Sequence, residues 1–512
     1  MSASAHAKVF SPNGTIFRLA YNMKMQTNVI KKEILHNRNR FFLVFFITLL
    51  ITFSSLYQSN SLFVYFIILA LQLQGSLQHD TISLMIYDRW LHMNKLKHFL
   101  LNSKNIDKSS FIWNMAGSML MAFQSVIMLM IITRTLNLYE AGVFTLAYAS
   151  ANLFLNIGKY GMRNFQVSDV KRQFNFKEYN TSRIITTVLM LIVSLVYVVI
   201  AKSKNDYNMN KTWIIIWMCL FKIVDSIEDT YLGYYQQENR LDVAGKMLTL
   251  RMILTILVFG LGLIFLRDQL MSLMIATIFT TLLLIMFVAL TYPAFRKEES
   301  VHKGKVWELL RVCFPLFLGC FLAFYIGNAP KYAIDSLLSD EMQACYGFIA
   351  IFVIGLLNNF IFSPMIARMS MMWKERQNKD FFRLFWIQIL IIGIITIVCE
   401  AGAFVLGVPV LSMLYNTDLA PYKTELLVLL LGGGFLALSG LFVTIMTIIR
   451  IQNSQAIGYG IVAVCAYILS PIFVRKYAVM GASVLYLLLM ILLCIIFAIM
   501  MMIGFKKKRP DA

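Results

Sequence analysis

Long apolar runs alternate with short polar segments along most of this chain. A transmembrane α-helix needs about 20 apolar residues to cross a bilayer, and most runs after residue 110 reach that length. The pattern predicts an all-α polytopic membrane protein with twelve transmembrane helices, over residues 111–133, 141–158, 184–201, 212–232, 248–266, 270–292, 309–329, 345–367, 384–406, 425–448, 456–474 and 480–503.

The N-terminal part of the sequence allows two interpretations. Its apolar runs, 41–57 and 61–74, suit a helical hairpin, although the second is short for a membrane span. Met93 instead resembles a natural start, because it opens a basic amphipathic lead, 93–110, into the first span. A cleaved signal peptide fits poorly, since the apolar run begins late and no small-residue cleavage site follows closely. We expect residues 1–92 to lie outside the main bundle, so that a chain starting at Met93 still inserts and functions.

The basic residues of the connections predict the orientation. The segment before the first span and every second connection after it carry 27 lysines and arginines, whereas the opposite connections carry 9. Cytoplasmic segments of membrane proteins are enriched in these residues. Both termini are therefore predicted to be cytoplasmic, including the basic tail, 504–512.

Composition restricts the class of protein further. The 512 residues are 59% hydrophobic and 14% charged, whereas soluble domains have about 25% charged residues. The net charge of +20 does not indicate nucleic-acid binding, because the basic residues lie in short segments between apolar runs. The seven cysteines lack metal-ligand spacing and are predicted to be small core residues.

The two halves of the twelve-span region resemble each other weakly. Gly142 and Gly347 occupy equivalent places in similar stretches before the second span of each half. We predict an N-lobe of six spans, 111–292, and a C-lobe of six spans, 309–503, around a midplane site. A basic cytoplasmic linker, 293–308, would join them.

The connections also exclude some activities. Those on the predicted outer side are short, so they leave no room for a catalytic domain. The sequence contains no GxxxxGK[ST] phosphate loop, which argues against an ATP motor. These observations favour a transporter over an enzyme.

The stretch from Trp213 to Arg251 carries a polar stripe within a membrane-type helix. At 100° per residue, the following positions fall within about 60° of one line: Lys222, Asp225, Ser226, Asp229, Gly233, Gln236 and Arg240. We interpret the stripe as the lining of a transport cavity. The alternative is that Lys222 pairs with Asp225 or Asp229 and stabilises a helix bundle. Glu228 lies off the stripe and requires its own partner.

Four stretches resemble a known family: RTLNLYEAGVFTLAYA, KYGMRNFQVSDVKRQFNFKEYNTSR, DSIEDTYLGYYQQENRLDVAGK and APKYAIDSLLSDEMQACYGF. They resemble bacterial lipopolysaccharide and capsular-polysaccharide flippases of the multidrug/oligosaccharidyl-lipid/polysaccharide exporter superfamily, over roughly residues 100–505. The resemblance implies a MATE-like V of two six-helix lobes in the bacterial inner membrane. It also implies alternating access and translocation of an undecaprenyl-pyrophosphate-linked oligosaccharide to the outer leaflet. Residues 1–92 depart from the family pattern.

The implied substrate explains which residues are candidates. A diphosphate and sugar hydroxyls cannot cross about 30 Å of hydrocarbon unaided, so a flippase must supply a polar, largely cationic groove. The candidate cations are Arg134, Lys159, Arg163, Lys222, Arg251 and Lys331, and the candidate hydroxyl partners are Asn114, Gln124, Asn152 and Asn156.

Several of these residues have structural alternatives. Asn152, Asn156, Lys159 and Arg163 follow one helical face, yet the two cations also suit anchors at a cytoplasmic helix end. Similarly, Arg134 and Lys331 suit snorkelling to the outer interface. Arg251 is expected to pair with an acid such as Glu228 or Asp229.

Carboxyl groups within the spans are candidates for ion coupling. Asp225, Asp229 and Glu400 would bind a coupling proton or sodium ion, because a carboxyl in low dielectric tends toward its neutral form. Alternatively, Glu400 lies near the outer interface or pairs with a neighbouring helix. No other cofactor is expected.

Other functions compete with a flippase. A multidrug exporter of the same fold would favour an anionic cavity, and a sugar permease of another fold would show a motif that GMRNFQVSDVKR fits poorly. A membrane enzyme of polysaccharide assembly lacks room in the outer loops. Expected partners are the lipid-linked oligosaccharide and membrane lipids, with the polysaccharide polymerase and chain-length machinery as further candidates.

Overall fold

The computed structural model describes residues 94–169, 171–297, 302–350, 363–449, 451 and 453–508. The predicted hairpin, 41–57 and 61–74, lies outside these residues. The chain divides into two compact units, Met1–Leu96 and Lys97–Ala512. The second unit contains the helices described below.

Helices make up the second unit, and no strand occurs in the described residues. The N-lobe comprises α1 (Ile106–Thr135), α2 (Leu138–Lys159), α3 (Met162–Ser168), α4 (Phe176–Asn205), α5 (Met209–Gln237), α6 (Leu241–Leu266) and α7 (Gln269–Thr291). The C-lobe comprises α8 (Lys303–Leu337), α9 (Asp340–Ile349), α10 (Ser363–Lys374), α11 (Asn378–Gly402), α12 (Val408–Tyr415), α13 (Lys423–Ile448) and α14 (Asn453–Lys508). A π-helical turn, Ala403–Gly407, joins α11 to α12. The predicted all-α class is confirmed.

Nine stretches of the described residues are long and apolar enough to cross a membrane. One of them, Ser454–Lys506, contains both the eleventh and the twelfth predicted spans. Helix α14 breaks between these two spans at Ala478, whose φ is 47°. Helix α5 is not among the nine, since charged residues interrupt its apolar surface. The predicted eighth span lies partly outside the described residues. The count of twelve therefore stays a prediction.

Polar residues at the borders of the apolar runs start the helices. Asn137, Asn208 and Asp268 each accept a backbone hydrogen bond in the first turn of the helix that follows. Asn175 and Glu178 form a reciprocal capping box at the start of α4. These caps explain why α2, α4 and α5 begin three or more residues before the predicted spans, whereas α7 begins one residue before.

Each lobe has its own apolar core. The C-lobe core contains buried residues from Ile326 to Met501. The N-lobe core also takes in Phe348, Tyr415 and other residues of the C-lobe. On the outside of α4, apolar side chains are exposed, as on a lipid-facing surface: Ile184, Val188, Ile192, Val196 and Val199.

The lobes are in contact where α2 crosses α9, and α8 also packs against α2 and α4. A β-carbon placed at Gly142 would lie 1.7 Å from the carbonyl oxygen of Asp340, and one at Gly347 would lie 2.6 Å from the side chain of Thr145. The close crossing of α2 and α9 therefore requires glycine at both positions of the weak repeat, Gly142 and Gly347. We call this end of the bundle, where Lys211 lies, the Lys211 end; it is the end predicted to face outside.

Candidate functional site

A cavity of about 340 Å³ lies between the lobes, next to this crossing. Helices α1 and α2 supply one wall, and α8, α9 and α12 supply the other. Aromatic rings and a few polar groups line it: Phe123, Phe144, Tyr148, Phe324, Tyr415, Ser125, Thr145, Asn152, Asn328 and Lys331. Its size is that of a small ligand site.

Lys331 is the cation of this cavity. No hydrogen-bond or ion-pair partner for its ammonium group occurs among the described residues, and the side chain is partly exposed. Asn152 and Asn328 face the same space, and each donates only to a carbonyl of its own helix, at 2.9 and 3.0 Å. The cavity therefore offers one unpaired positive charge and two amide oxygens to a ligand.

Helix α2 is open along a single stripe. Tyr148, Asn152, Asn156 and Lys159 are partly exposed, whereas every other residue from 141 to 158 is buried. These four positions lie within about 80° on a helix, and about 10 Å separates Asn152 from Lys159 along the axis. The stripe thus runs along α2 from the cavity lining at Tyr148 and Asn152 to Lys159 at the end of the helix.

The sequence placed Arg163 on the same helical face, and this is wrong. Helix α2 ends at Lys159, because Tyr160 and Gly161 take positive φ values of 50° and 66°. Arg163 lies on α3, and the turn brings it to within 3.6 Å of Asp229, beside Lys159 at 3.9 Å. Both cations keep more than a quarter of their side-chain surface exposed. We call this region the Arg163 end.

A buried network occupies the middle of the N-lobe. Lys222 donates to Asp225 at 3.0 Å, to Gln124 at 3.0 Å and to the hydroxyl of Tyr148 at 3.2 Å. Arg251 donates to Asp225 at 2.7 Å and to Glu228 at 2.8 Å. The predicted alternative of a Lys222–Asp225 pair and the predicted Arg251–Glu228 pair are confirmed.

The interpretation of the whole stripe as a cavity lining therefore needs correction. Lys222 is 2% exposed and Asp225 is 5% exposed, so neither side chain faces water in this structure. The Tyr148 ring separates Lys222 from the cavity, since it lines the cavity and its hydroxyl binds Lys222. A direct substrate role for Lys222 and Arg251 stays a prediction that this conformation does not support.

Arg183 is a functional candidate that the sequence reasoning missed. Its guanidinium is 1% exposed and binds Asp229 at 2.9 Å, Thr230 at 2.7 Å and the carbonyl oxygen of Gly158 at 2.8 Å. It immediately precedes the predicted third span and was counted as a cytoplasmic connection residue. Arg183 lies one residue before an apolar run, and α4 begins earlier, at Phe176, so the arginine is inside the helix. A helix that starts before its apolar run was the sequence signal for this position.

The charged groups around Asp225, Glu228 and Asp229 form one cluster that has more cations than carboxylates. The cations are Lys159, Arg163, Arg183, Lys222 and Arg251, and the carboxylates are Asp225, Glu228 and Asp229. Five cations against three carboxylates leave an excess of two positive charges. The surplus is carried by Lys159 and Arg163, because Asp229 already has a close partner in Arg183.

The remaining predicted residues lie elsewhere. Arg134 donates to the carbonyl oxygens of Met413 and Leu414 at the Lys211 end, so it joins the lobes there. Asn114 lies at the crossing of α1 and α6, against Gly245. Glu400 is partly buried in α11, and one of its carboxyl oxygens has no hydrogen-bond partner among the described residues. The structure does not bring these three to the cavity lining.

Comparisons with known proteins agree with this architecture. The family described as Polysaccharide biosynthesis protein matches residues 108–370. The capsular polysaccharide biosynthesis protein CapF of Staphylococcus aureus is 24% identical over 316 residues, which cover 60% of this chain and 78% of CapF.

Solved structures show the fold. The lipid II flippase MurJ, in an inward closed conformation, matches with a TM-score of 0.55 and 14% identity, over 80% of this chain and 93% of MurJ. The eukaryotic MATE transporter AtDTX14 matches with a TM-score of 0.52 and 11% identity, over 80% of this chain and 96% of that protein. The chain therefore belongs to the Polysaccharide biosynthesis protein family and is a multi-pass membrane protein with a MATE-like fold.

Proposed function

We propose that the protein flips a lipid-linked oligosaccharide of the undecaprenyl-pyrophosphate type from the cytoplasmic to the outer leaflet, for cell-surface polysaccharide biosynthesis. Its family and fold are those of a membrane exporter rather than an enzyme. The MurJ neighbour is a lipid II flippase by name, which makes a lipid-linked substrate compatible with this fold.

The observation that carries the proposal is the unpaired Lys331 at one end of the open stripe of α2. Lys159 and the nearby Arg163 hold the surplus positive charge at the other end. Amide side chains lie between them, on Asn152 and Asn156. A diphosphate requires cations and sugar hydroxyls require amides, so the stripe matches both parts of such a head group.

A MATE-type drug exporter fits this interior less well. An organic cation would need an anionic or aromatic cavity, whereas the only charge in the described cavity lining is the cation Lys331. The cluster around Asp225, Glu228 and Asp229 also has more cations than carboxylates. Electrostatic repulsion therefore argues against a cationic drug as the main substrate.

Alternating access would complete the mechanism. In the described conformation the lobes touch at the Lys211 end, and α8 also packs against Met162 and Tyr179 at the Arg163 end. Lys159 and Arg163 remain partly exposed there. The head would bind from the Arg163 end, follow α2 to the cavity, and leave after the crossing of α2 and α9 opens. The lipid tail would stay in the bilayer throughout.

Placement in the cell follows from the same proposal. We place the protein in the bacterial inner membrane with both termini in the cytoplasm, on the basis of the charge bias of the connections. A proton or a sodium ion would drive transport, with Asp225, Asp229 and Glu400 as the residues proposed from sequence. The polymerase and chain-length machinery would receive the flipped repeat units.

Lipid-linked repeat units in a deletion strain test the function. They should accumulate in the inner leaflet, and the wild-type gene should clear them. Lys331→Ala should fail to clear them, and Lys331→Arg should restore part of the activity. Lys476→Ala, at an exposed lysine, is the matched control and should behave as wild type. Altered drug resistance without accumulated repeat units would contradict the proposal.

A further inference from the structure

A separate charged cluster joins the lobes at the Lys211 end. The ammonium group of Lys211 donates to Asp335 at 2.8 Å and to Asp340 at 2.7 Å. Asn205 donates to Asp335 at 3.1 Å, and the hydroxyl of Tyr207 also donates to Asp335. The N-lobe supplies the lysine, the amide and the phenol, and the C-lobe supplies both acids. The cluster can therefore form only while the lobes are closed at this end.

The closed cluster has more negative than positive charge. Lys211, Asp335 and Asp340 expose only 7%, 2% and 15% of their side chains, so one cation faces two carboxylates away from water. Burying a charge without full compensation is costly. The close crossing of α2 and α9, where a β-carbon at Gly142 would clash with the carbonyl oxygen of Asp340, shields one side of the cluster from solvent.

Nearby groups do not supply the missing positive charge. Glu140 on α2 lies in electrostatic range of both Asp340 and Asp268. Exposed Glu341 is next to Asp340 on α9, and Tyr197 on α4 is close to Tyr207. The carboxylates among these groups add to the negative field around Asp340, and the tyrosines are neutral.

We propose that Asp340 takes up a proton when the lobes close at the Lys211 end, which leaves Lys211 paired with Asp335 in a neutral, buried interface. The inference rests on the proposed alternating access. Closure of the Lys211 end then depends on pH. The residues responsible belong neither to the cavity lining nor to the buried network of the N-lobe.

The hydrogen bonds identify Asp340 as the carboxyl that titrates. Asp335 accepts hydrogen bonds from three donors, whereas Asp340 accepts from Lys211 alone among the described residues. Burial raises the pKa of Asp340, the hydrogen bond from Lys211 opposes that change, and Asp335 and Glu341 raise the pKa further. A pKa that is higher in the closed state than in the open state means that protonation stabilises the closed state. Acidic pH therefore favours closure.

Distances between the lobes test the inference directly. Spin labels attached through non-canonical amino acids at exposed Ser203 and Asp418 report on the Lys211 end and leave the native cysteines unchanged. In purified full-length protein in lipid nanodiscs, the ratio of short to long distances should rise as pH falls from 8 to 5. One linked proton limits the change to about tenfold per pH unit. Asp340→Asn, which resembles the protonated acid, should keep the short distance at every pH.

Two further variants complete the design. Lys211→Met leaves two carboxylates facing each other and should shift the ratio toward the long distance. Glu341→Gln, at the exposed neighbouring acid, is the matched control. It should keep a pH response and move its midpoint only slightly lower, because Glu341 raises the pKa of Asp340 less than burial does. Two populations that do not respond to pH, or an Asp340→Asn variant with the wild-type response, would overturn the inference alone. A single distance in all variants would count against alternating access as well.

Discussion

The buried network of the N-lobe and the cavity between the lobes use lysine in opposite ways. Lys222 lies in the network with a carboxylate, an amide and a phenol as partners. Lys331 lies in the cavity lining and has no such partner among the described residues. The Tyr148 side chain belongs to both environments, because its hydroxyl binds Lys222 and the residue lines the cavity.

The difference separates structural charge from charge available to a ligand. Breaking a buried ion pair costs about 3–5 kcal/mol, because the remaining charge has no solvent to stabilise it. Removing a cation that has no ionic partner leaves no unpaired carboxylate in the structure. Mutations in the buried network should therefore reduce stability most, and mutations in the cavity should reduce transport with little change in stability.

Arg251→Met should have the largest effect on stability. The arginine is fully buried and holds both Asp225 and Glu228, so its loss leaves Glu228 without an ionic partner and Asp225 with only Lys222. We expect a loss of about 3–5 kcal/mol, visible as loss of the monodisperse peak in detergent or a marked fall in Tm.

Adding Glu228→Gln to Arg251→Met should recover part of that stability, because it removes the stranded charge. Arg475→Ala, at an exposed arginine, is the control and should leave Tm unchanged. A stable Arg251→Met protein would show that the network is not structural.

Lys222→Met should have a smaller effect. Asp225 keeps its hydrogen bond from Arg251, so the substitution removes one of two cations from a single carboxylate. We expect a fall in stability of about 1–3 kcal/mol, measured by thermal unfolding, with partial rescue by Asp225→Asn. Full stability combined with lost transport would instead support the direct substrate role predicted from sequence.

The pairing of Lys222 shows how much the sequence could predict. Membrane spans follow from the length of apolar runs, and an i,i+3 pair follows from helical spacing, so the fold class and the Lys222–Asp225 contact were accessible. The Arg183–Asp229 pair joins residues 46 positions apart on two helices, and no local pattern specifies that contact. Whether a polar helix face turns toward a cavity or toward its own lobe also depends on neighbouring helices. For this reason the sequence predicts the polar stripe of α5 but not the helices that pack against it.

Lys159→Met tests a cation between the two extremes. Lys159 is 29% exposed and 3.9 Å from Asp229, which is already bound by Arg183. An exposed and long ion pair contributes less than about 1 kcal/mol, so Tm should change little. Clearance of lipid-linked repeat units should nevertheless slow, because the surplus charge at the Arg163 end is reduced. A fall in Tm as large as that of Lys222→Met would place Lys159 in the structural network.

Lys331→Met should have the smallest effect on stability and the clearest effect on transport. Methionine matches the length of the lysine stem, and no carboxylate loses a partner, since none of the described residues pairs with Lys331. Tm should stay at the wild-type value or rise, because an unpaired charge has been removed from a partly enclosed site. Transport should be lost, and Lys331→Arg should restore part of it, because a guanidinium keeps the positive charge. A marked fall in Tm for Lys331→Met would mean that this lysine has a structural partner, and it would remove the contrast between the cavity and the network.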